Sequence, residues 1–241
     1  MGASSTRDAT RDHRAMPLDH AISSFNDSSP RTERRRGDDT RARLLDAVEG
    51  LIADHGFKPL THRTIASRAE AHVALLNYHF GSKEQLIEEA LARRASQLLA
   101  LQHDALAALR ARGDFQVEDV LWAYGRPFST LDQSAPSTWR NYLCLVARLA
   151  GHDPSDSILM RHFGSVHREC LSALRHALPN VEDASLAAGF RHCRLLLEHD
   201  ALARCKAGGT APAVVPKFEE LIAFLAGGLR ALAGHHEARA H

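Results

Sequence analysis

The chain has 241 residues, 44% of them apolar and 24% charged, with a formal net charge of +1. That length and apolar content bury a sizeable core, which excludes a chain disordered throughout and suits one large domain or a small domain joined to a larger one. No apolar run reaches the roughly 18 to 20 residues of a membrane-spanning helix, and the opening MGASSTRDATRDHRAMPLDHAISSF holds no apolar signal segment, so a soluble, cytoplasmic protein with no membrane partner is expected.

Residues 1–37 are rich in Ser, Asp, Arg and Thr, contain RTERRRGDD and show no apolar period, which predicts a mobile tail. Arg34, Arg35 and Arg36 read either as a solvated charge run or as an arm that touches a phosphate or a minor groove. From Asp39 a helix is expected, because Leu44, Leu45, Val48, Leu51 and Ile52 fall on one face of a 3.6-residue repeat. Asp38 or Asp39 can cap it and Gly56 ends it.

Pro59 breaks the chain before Thr61, a hydroxyl placed to cap a second helix over about His62 to Ala69. A third helix covers Val73 to Phe80 and closes at Gly81. Ser82, with Gln85 three residues on, forms a capping-box pattern that opens a long helix reaching about Arg112. Beyond Gly113 the turn signals divide five more helices: Gln116 to Leu131, Pro136 to Ala150, Ser155 to Leu178, Glu182 to Lys206 and Pro216 to Leu232. With no alternating strand pattern and no fixed-period repeat, the fold class is all-α, about nine helices.

The short pair around residues 62–80 has the form of a helix-turn-helix, in which the second helix enters the major groove and the first crosses the backbone. Val73, Ala74, Asn77 and Tyr78 share one helix face, while Leu76 and Phe80 face the core with Ile65 and Ala69. Asn77 can pair with an adenine edge in bidentate fashion, and Val73 and Ala74 offer apolar surface to thymine methyls. Tyr78, His79 and Lys83 can donate to phosphates, as can the backbone N–H groups opening the long helix; Thr61 and Arg63 can hold the flanking phosphates. Residues 31–83 hold ten Lys and Arg against seven Asp and Glu, so affinity must come from these few placed groups rather than from bulk charge. For Thr61 the competing reading is a cap alone, and for Tyr78 and His79 a filled domain surface.

Taken together these residues resemble the tetracycline-repressor (TetR) family of bacterial transcriptional regulators. The resemblance covers about 50 residues, DDTRARLLDAVEGLIADHGFKPLTHRTIASRAEAHVALLNYHFGSKEQLIEEAL, with LTHRTIA and LNYHFGSKEQLI the most specific pieces. It implies a homodimer with an N-terminal three-helix DNA-binding domain, here 38–84, and a larger helical effector-binding and dimerisation domain, here 85–241. It also implies DNA contacts from Thr61, His62, Arg63, Val73, Ala74, Leu75, Asn77, Tyr78, His79 and Lys83. The turn departs from the family pattern: Glu70-Ala71-His72 replaces Gly, an apolar residue and Ser or Thr. A non-Gly residue in a left-handed turn costs roughly 1 kcal/mol, a carboxylate there repels phosphate, and His72 caps a helix less well than Ser.

In the C-terminal half, Trp122, Tyr124, Phe128, Trp139, Tyr142, Phe163, His167, Phe190 and Leu196 read as core or as the lining of an apolar effector cavity. The segment FGSVHRECLSALRHALPNVEDASLAAGFRHCRLLLEHDAL resembles a subgroup with a roomy apolar pocket, some of whose members respond to fatty acyl compounds; a small apolar effector, acyl or aromatic, is expected. Wide apolar faces follow: Leu186, Phe190, Cys193, Leu196 and Leu197, then Phe218, Leu221, Ile222, Leu225, Leu229 and Leu232. They pack within the chain or, as the resemblance implies, form a four-helix bundle with a second copy, because a two-fold dimer needs a self-complementary patch.

No cofactor and no metal are expected. Cys144, Cys170, Cys193 and Cys205 stand 26, 23 and 12 residues apart, which is no metal-clip spacing and reads as buried small apolar residues. His162 and His167 are five apart and His192 and His199 seven apart, neither being the i, i+4 interval that sets two imidazoles over one ion. No nucleophile elbow, phosphate loop or paired-carboxylate motif occurs, so an enzyme is not expected. The reading that results is a ligand-responsive regulator, more readily a repressor, of a near-palindromic double-stranded operator. Its competitor, motivated by Glu70, His72 and a reading face without a basic residue, is a ligand-binding or protein-interaction module of the same fold that has lost specific DNA binding.

Overall fold

The computed structural model describes residues 30–134, 137–152, 156–206 and 217–237. Among them every regular element is a helix: α1 (Pro30–His55), α2 (His62–Arg68), α3 (Val73–Phe80), α4 (Lys83–Arg112), α5 (Val117–Ser134), α6 (Ser137–Ala150), α7 (Asp156–Ala177), α8 (Asp183–Lys206) and α9 (Phe218–Glu237). None of these is long and apolar enough to cross a membrane. The chain divides into two units, Met1–Asp38 and Asp39–His241.

Residues 1–29 of the expected tail lie outside the described residues, as do the side chains of Arg34, Arg35 and Arg36. The first helix corrects one expectation, because it begins at Pro30 rather than Asp39. Proline is pre-set for the first helical position, and the Arg and Glu that follow are straight-chain helix formers. That stretch has no apolar face, so an apolar period cannot reveal it.

Within Asp39–His241 the local signals act as their chemistry dictates. Thr61 caps α2 in a reciprocal box with Thr64, and Ser82 caps α4 in a reciprocal box with Gln85. Gly56, Gly81 and Gly113 each hold a positive φ where a helix ends. The buried faces of α1, α2 and α3 meet at Leu44, Val48, Ile52, Ile65, Leu76 and Phe80, and this core continues through Leu86, Leu91 and Leu98 of α4 into the larger bundle. There α5 is central, packed on α4, α7, α8 and α9, while α6 lies along α8. Cys144, Cys170 and Cys193 are buried thiols in this core, and burial pushes the Cys193 thiol up to about 11. The Cys205 side chain lies outside the described residues.

Candidate nucleic-acid interface

The turn between α2 and α3 is a Schellman motif. The Glu70 N–H donates to the Ser67 carbonyl (3.2 Å) and the Ala71 N–H to the Ala66 carbonyl (2.9 Å), the two bonds that tie off a helix through a left-handed residue. Glu70 carries that conformation at φ +50, and it is the only non-Gly residue with positive φ among the described residues. Arg43 of α1 reaches the Glu70 carbonyl at 3.4 Å. One residue further, His72 stands at the N-cap of α3 and makes no side-chain capping bond.

Helix α3 splits cleanly. Leu76 and Phe80 are buried with Ile65 and Ala69, as the period required, while Val73 is 40% exposed and Tyr78 83% exposed. Ala74 and Asn77 are exposed beside them, and Leu75 and His79 are half-buried. Tyr78 touches His79 edge to face at 5.2 Å between ring centres. A phenol left so open contributes little to the core.

Thr61 and Arg63 are exposed at the start of α2, His62 is half-buried, and Lys83 is half-buried at the first turn of α4. The Thr61 hydroxyl accepts from the Thr64 N–H (3.1 Å), while Thr64 Oγ1 donates to the Pro59 carbonyl (2.7 Å) and accepts from the Thr61 N–H (2.9 Å). Thr64 Oγ1 also lies 3.1 Å from the Thr61 hydroxyl, and with the Thr64 proton on Pro59 the Thr61 hydroxyl is the donor of that contact. At α4 the Ser82 hydroxyl already takes the Gln85 N–H (3.1 Å), which removes that amide from the donors a phosphate can use.

The three-helix head is braced to the rest of the bundle. Glu49 of α1, fully buried, accepts two bonds from the Arg94 guanidinium, both 3.0 Å. Burial pushes the Glu49 carboxyl up to about 7, against the pull of Arg94 and Arg93. Arg94 also lies over Trp139 and Tyr142 of α6, and the Tyr142 hydroxyl donates to the Leu91 carbonyl (2.8 Å). Arg41 pairs with Glu89 nearer the N-terminal end of α4.

Residues 44–90 match the profile of bacterial regulatory proteins of the tetR family, and residues 122–228 match that of the tetracyclin repressor-like C-terminal domain. The HTH-type transcriptional regulator BetI of Rhizobium meliloti (strain 1021) is 30% identical over 149 residues, 62% of this chain and 71% of the relative. The chain belongs to the TetR family. BetI of Agrobacterium fabrum is 29% identical over 150 residues, 62% of this chain and 70% of that protein. A TetR-family transcription regulator from Marinobacter aquaeolei VT8 shares the fold at 20% identity and a TM-score of 0.52, covering 83% of this chain and 97% of its own. As a TetR-family member the chain is a DNA-binding transcriptional regulator rather than an enzyme.

In the C-terminal half of this TetR protein, the aromatic residues expected around one cavity occupy four places. Tyr124, Phe128, His167 and Phe190 form a closed cluster with ring centres 5.6 to 6.3 Å apart. Its centre is polar: the Tyr124 hydroxyl donates to Glu198 (2.6 Å), which also accepts from Arg194 (3.3 Å). Burial and Arg194 hold His167 down to about 3, so its imidazole is neutral. Trp139 and Tyr142 stack edge to face around Arg94, and Phe163 is core. Trp122 lines a groove of about 560 Å³ between α4 and α5, together with Leu101, Ala105, Leu109, Asp119, Ala123, Arg126 and Pro127. The signal for this groove in the sequence is Pro127, a proline interrupting a helical pattern.

The residues expected at a dimer interface lie on α8 and α9. Leu186, Phe190, Cys193, Leu197, Phe218, Leu221, Ile222, Leu225 and Leu229 are all buried inside the single chain. They fill the seams of α8 and α9 with each other and with α5, and α9 comes so close that a Cβ on Gly189 would meet Leu229 and Leu232 at 2.8 Å. The outward face is different: Leu196 is 44% and Phe224 71% exposed, with exposed Ala223, Gly227, Gly228 and Ala231 on α9. An apolar stripe shows which side of a helix is buried, and the seam within the chain uses that side.

Proposed function

We propose that this protein is a homodimeric repressor that binds a near-palindromic operator through α3 and is released by a small apolar effector. The observation that carries the reading is Tyr78, a large side chain held open on the same face as Val73, Ala74 and Asn77. Asn77 reads an adenine edge, Val73 and Ala74 meet thymine methyls, and Tyr78 with Thr61, Arg63 and Lys83 holds phosphates. His62 and His79 flank these contacts, and Leu75, half-buried, supports α3 from behind.

Two copies place two α3 helices in successive major grooves, and joining two half-sites raises the effective affinity of a nearly neutral head. The outward faces of α8 and α9 are the surface for the second copy. Gly227 and Gly228 support this, since a Cβ on either meets nothing within 4 Å in the single chain. Glycine in a helix interior costs about 1 kcal/mol relative to Ala, and close approach of a partner helix is a reason to retain it.

An effector releases DNA only by preferring the form in which the two reading helices are wrongly spaced. The connection is α4, which carries Lys83 at one end and Leu101, Ala105 and Leu109 at the groove.

The test is an electrophoretic mobility shift with DNA from the protein's own upstream region. A specific, salt-sensitive shift, weakened about tenfold or more in Tyr78→Ala and in Lys83→Ala with unchanged thermal melts, is expected. No specific shift at any upstream segment would refute the repressor reading in favour of a module that has lost DNA binding.

A further inference from the structure

Helices α4 and α7 are joined by a polar line with the connectivity of an activated hydroxyl. Ser165 and Glu169 stand four residues apart on α7 and share a face, and α7 packs on α4, which brings His103 against both. His103 Nε2 lies 3.3 Å from the Ser165 hydroxyl, and His103 Nδ1 lies 2.9 Å from the Glu169 carboxylate. Arg110, about two turns further along α4, donates to the other Glu169 oxygen at 2.6 Å. Burial raises the Glu169 carboxyl, but the bonds from Arg110 and His103 outweigh it and hold the group below the usual carboxylate range.

An ionised Glu169 decides the tautomer. It can only accept, so the proton of neutral His103 sits on Nδ1, Nε2 keeps its lone pair, and the Ser165 hydroxyl is the donor of the 3.3 Å contact. That is the order nucleophile, base, orienting carboxylate. The contact is long for a hydroxyl bond, as nucleophile–base contacts commonly are before a substrate arrives. Ser165, His103 and Glu169 are all half-buried, so a small reagent can reach them. Ser165 lies within α7, where the backbone N–H groups are already engaged, so charge developing on a carbonyl oxygen has to be met by a side chain. A Cβ on Gly164 would meet Arg168 Nη1 at 3.3 Å, which sets a guanidinium over the residue next to the nucleophile. The α4–α5 groove opens on the other side of α4, since Leu101 and Ala105 each stand two residues from His103, about 200° round the helix. The acyl group that suits Ser165 is therefore short.

We propose that Ser165 is a covalent capture site for small activated acyl donors of the aryl ester class, with His103 as its base and Glu169 as the positioning residue. Ser165 Oγ bonds to the acyl carbon, its proton passes to His103 Nε2, the bond to the leaving phenolate breaks, and that proton leaves with the phenolate. The product is an alkyl ester, whose alkoxide leaves far less readily than a phenolate. The acyl group therefore stays on the chain, and the reaction stops at one group per chain rather than turning over.

Full-length protein treated with 4-nitrophenyl acetate is expected to gain one fast acetyl group per chain by intact mass, mapped to Ser165 by peptide fragmentation, with 4-nitrophenolate released in step. Ser165→Ala should remove the fast phase, and His103→Gln should slow it about a hundredfold, the lower end of what a positioned general base supplies. Glu169→Gln can still bridge to α4 but also offers an N–H to Nδ1, which favours the wrong tautomer. It should slow acetylation about tenfold or more with an unchanged thermal melt, and Glu169→Asp, which keeps the carboxylate, should recover part of the rate. A fluorophosphonate, which loses fluoride as the Ser165 O–P bond forms, tests the wild-type chain without any substitution: it should label Ser165 in buffer and not in concentrated urea. Acetyl groups found only on lysines, an unaltered Ser165 rate in His103→Gln, or equal fluorophosphonate labelling in urea overturns the nucleophile and leaves a polar brace between two helices. An unaltered rate in Glu169→Gln overturns the part given to the carboxylate.

Discussion

Replacing Glu70 by Gly should make this protein more stable, although it removes a side chain from an ordered turn. Glu70 holds φ +50 at the left-handed position of the Schellman motif that ends α2. For an L-residue that conformation costs about 1–2 kcal/mol. Glycine escapes it but gains freedom in the unfolded chain worth about 0.4–1 kcal/mol, leaving a net stabilisation of about 0.5–1 kcal/mol. The motif's hydrogen bonds and the Arg43 contact involve Glu70 only through its backbone, so the substitution keeps them. In a chain of this length that is a rise in Tm of about 1–4 °C, measurable by calorimetry. Glu70→Gln separates conformation from charge, because it keeps the strained backbone and removes the carboxylate. A unit charge about 10 Å from a phosphate in water is worth about 0.4 kcal/mol, so both variants should bind DNA about twofold more tightly at low salt, an advantage that fades as salt rises. Only the glycine variant should melt higher. Equal stabilisation by Gln and Gly would refute the strain argument and leave electrostatics as the cause.

His72→Ser should add a side-chain cap that α3 now lacks, stabilising by about 0.5–1 kcal/mol in a urea titration. Glu49 makes stability depend on pH: its folded pKa is raised from 4.5 to about 7, so its contribution is fully present below the unfolded value and is lost as pH rises through about 7. Roughly 2–3 kcal/mol should disappear between pH 5 and 8, and Glu49→Gln should flatten that slope; an unchanged slope would show that another group titrates. Phe224→Asp should yield monomers by sedimentation equilibrium, with the melt of the single chain moved by no more than about 0.5 kcal/mol, since Phe224 touches little within it.

The head of the molecule was legible because its boundaries are set by short-range chemistry. Thr61, Gly81 and the Ser82 box with Gln85 act on groups three or four residues away, and each stands where local rules place it. The start of α1 was hidden because Pro30–Gly37 has helix-forming residues without an apolar stripe. For the C-terminal half, periodicity marks the apolar faces of α8 and α9, Leu196 excepted at 44% exposure, but an apolar stripe does not say what covers it. Leu186 and Leu229 are covered by the chain's own helices, whereas Phe224, a single residue outside that stripe, is left open. The groove was invisible for a related reason: cavities are made by what fails to fill space, and Pro127 acts through a missing N–H rather than through a recognisable side chain.

Helix α4 runs unbroken for 30 residues, which makes it a rod about 45 Å long. Ala105 lies about 33 Å along it from Lys83. A tilt of about 5° around the groove therefore sweeps the far end through roughly 3 Å, about a quarter of the major-groove width of about 12 Å. Glu49 and Arg94 clamp the head to that rod, so on the proposed effector-release reading a displacement at the groove would pass to α3 through this buried pair. On that reading distance multiplies the signal: the farther an effector sits from the DNA, the smaller the angular change it has to produce.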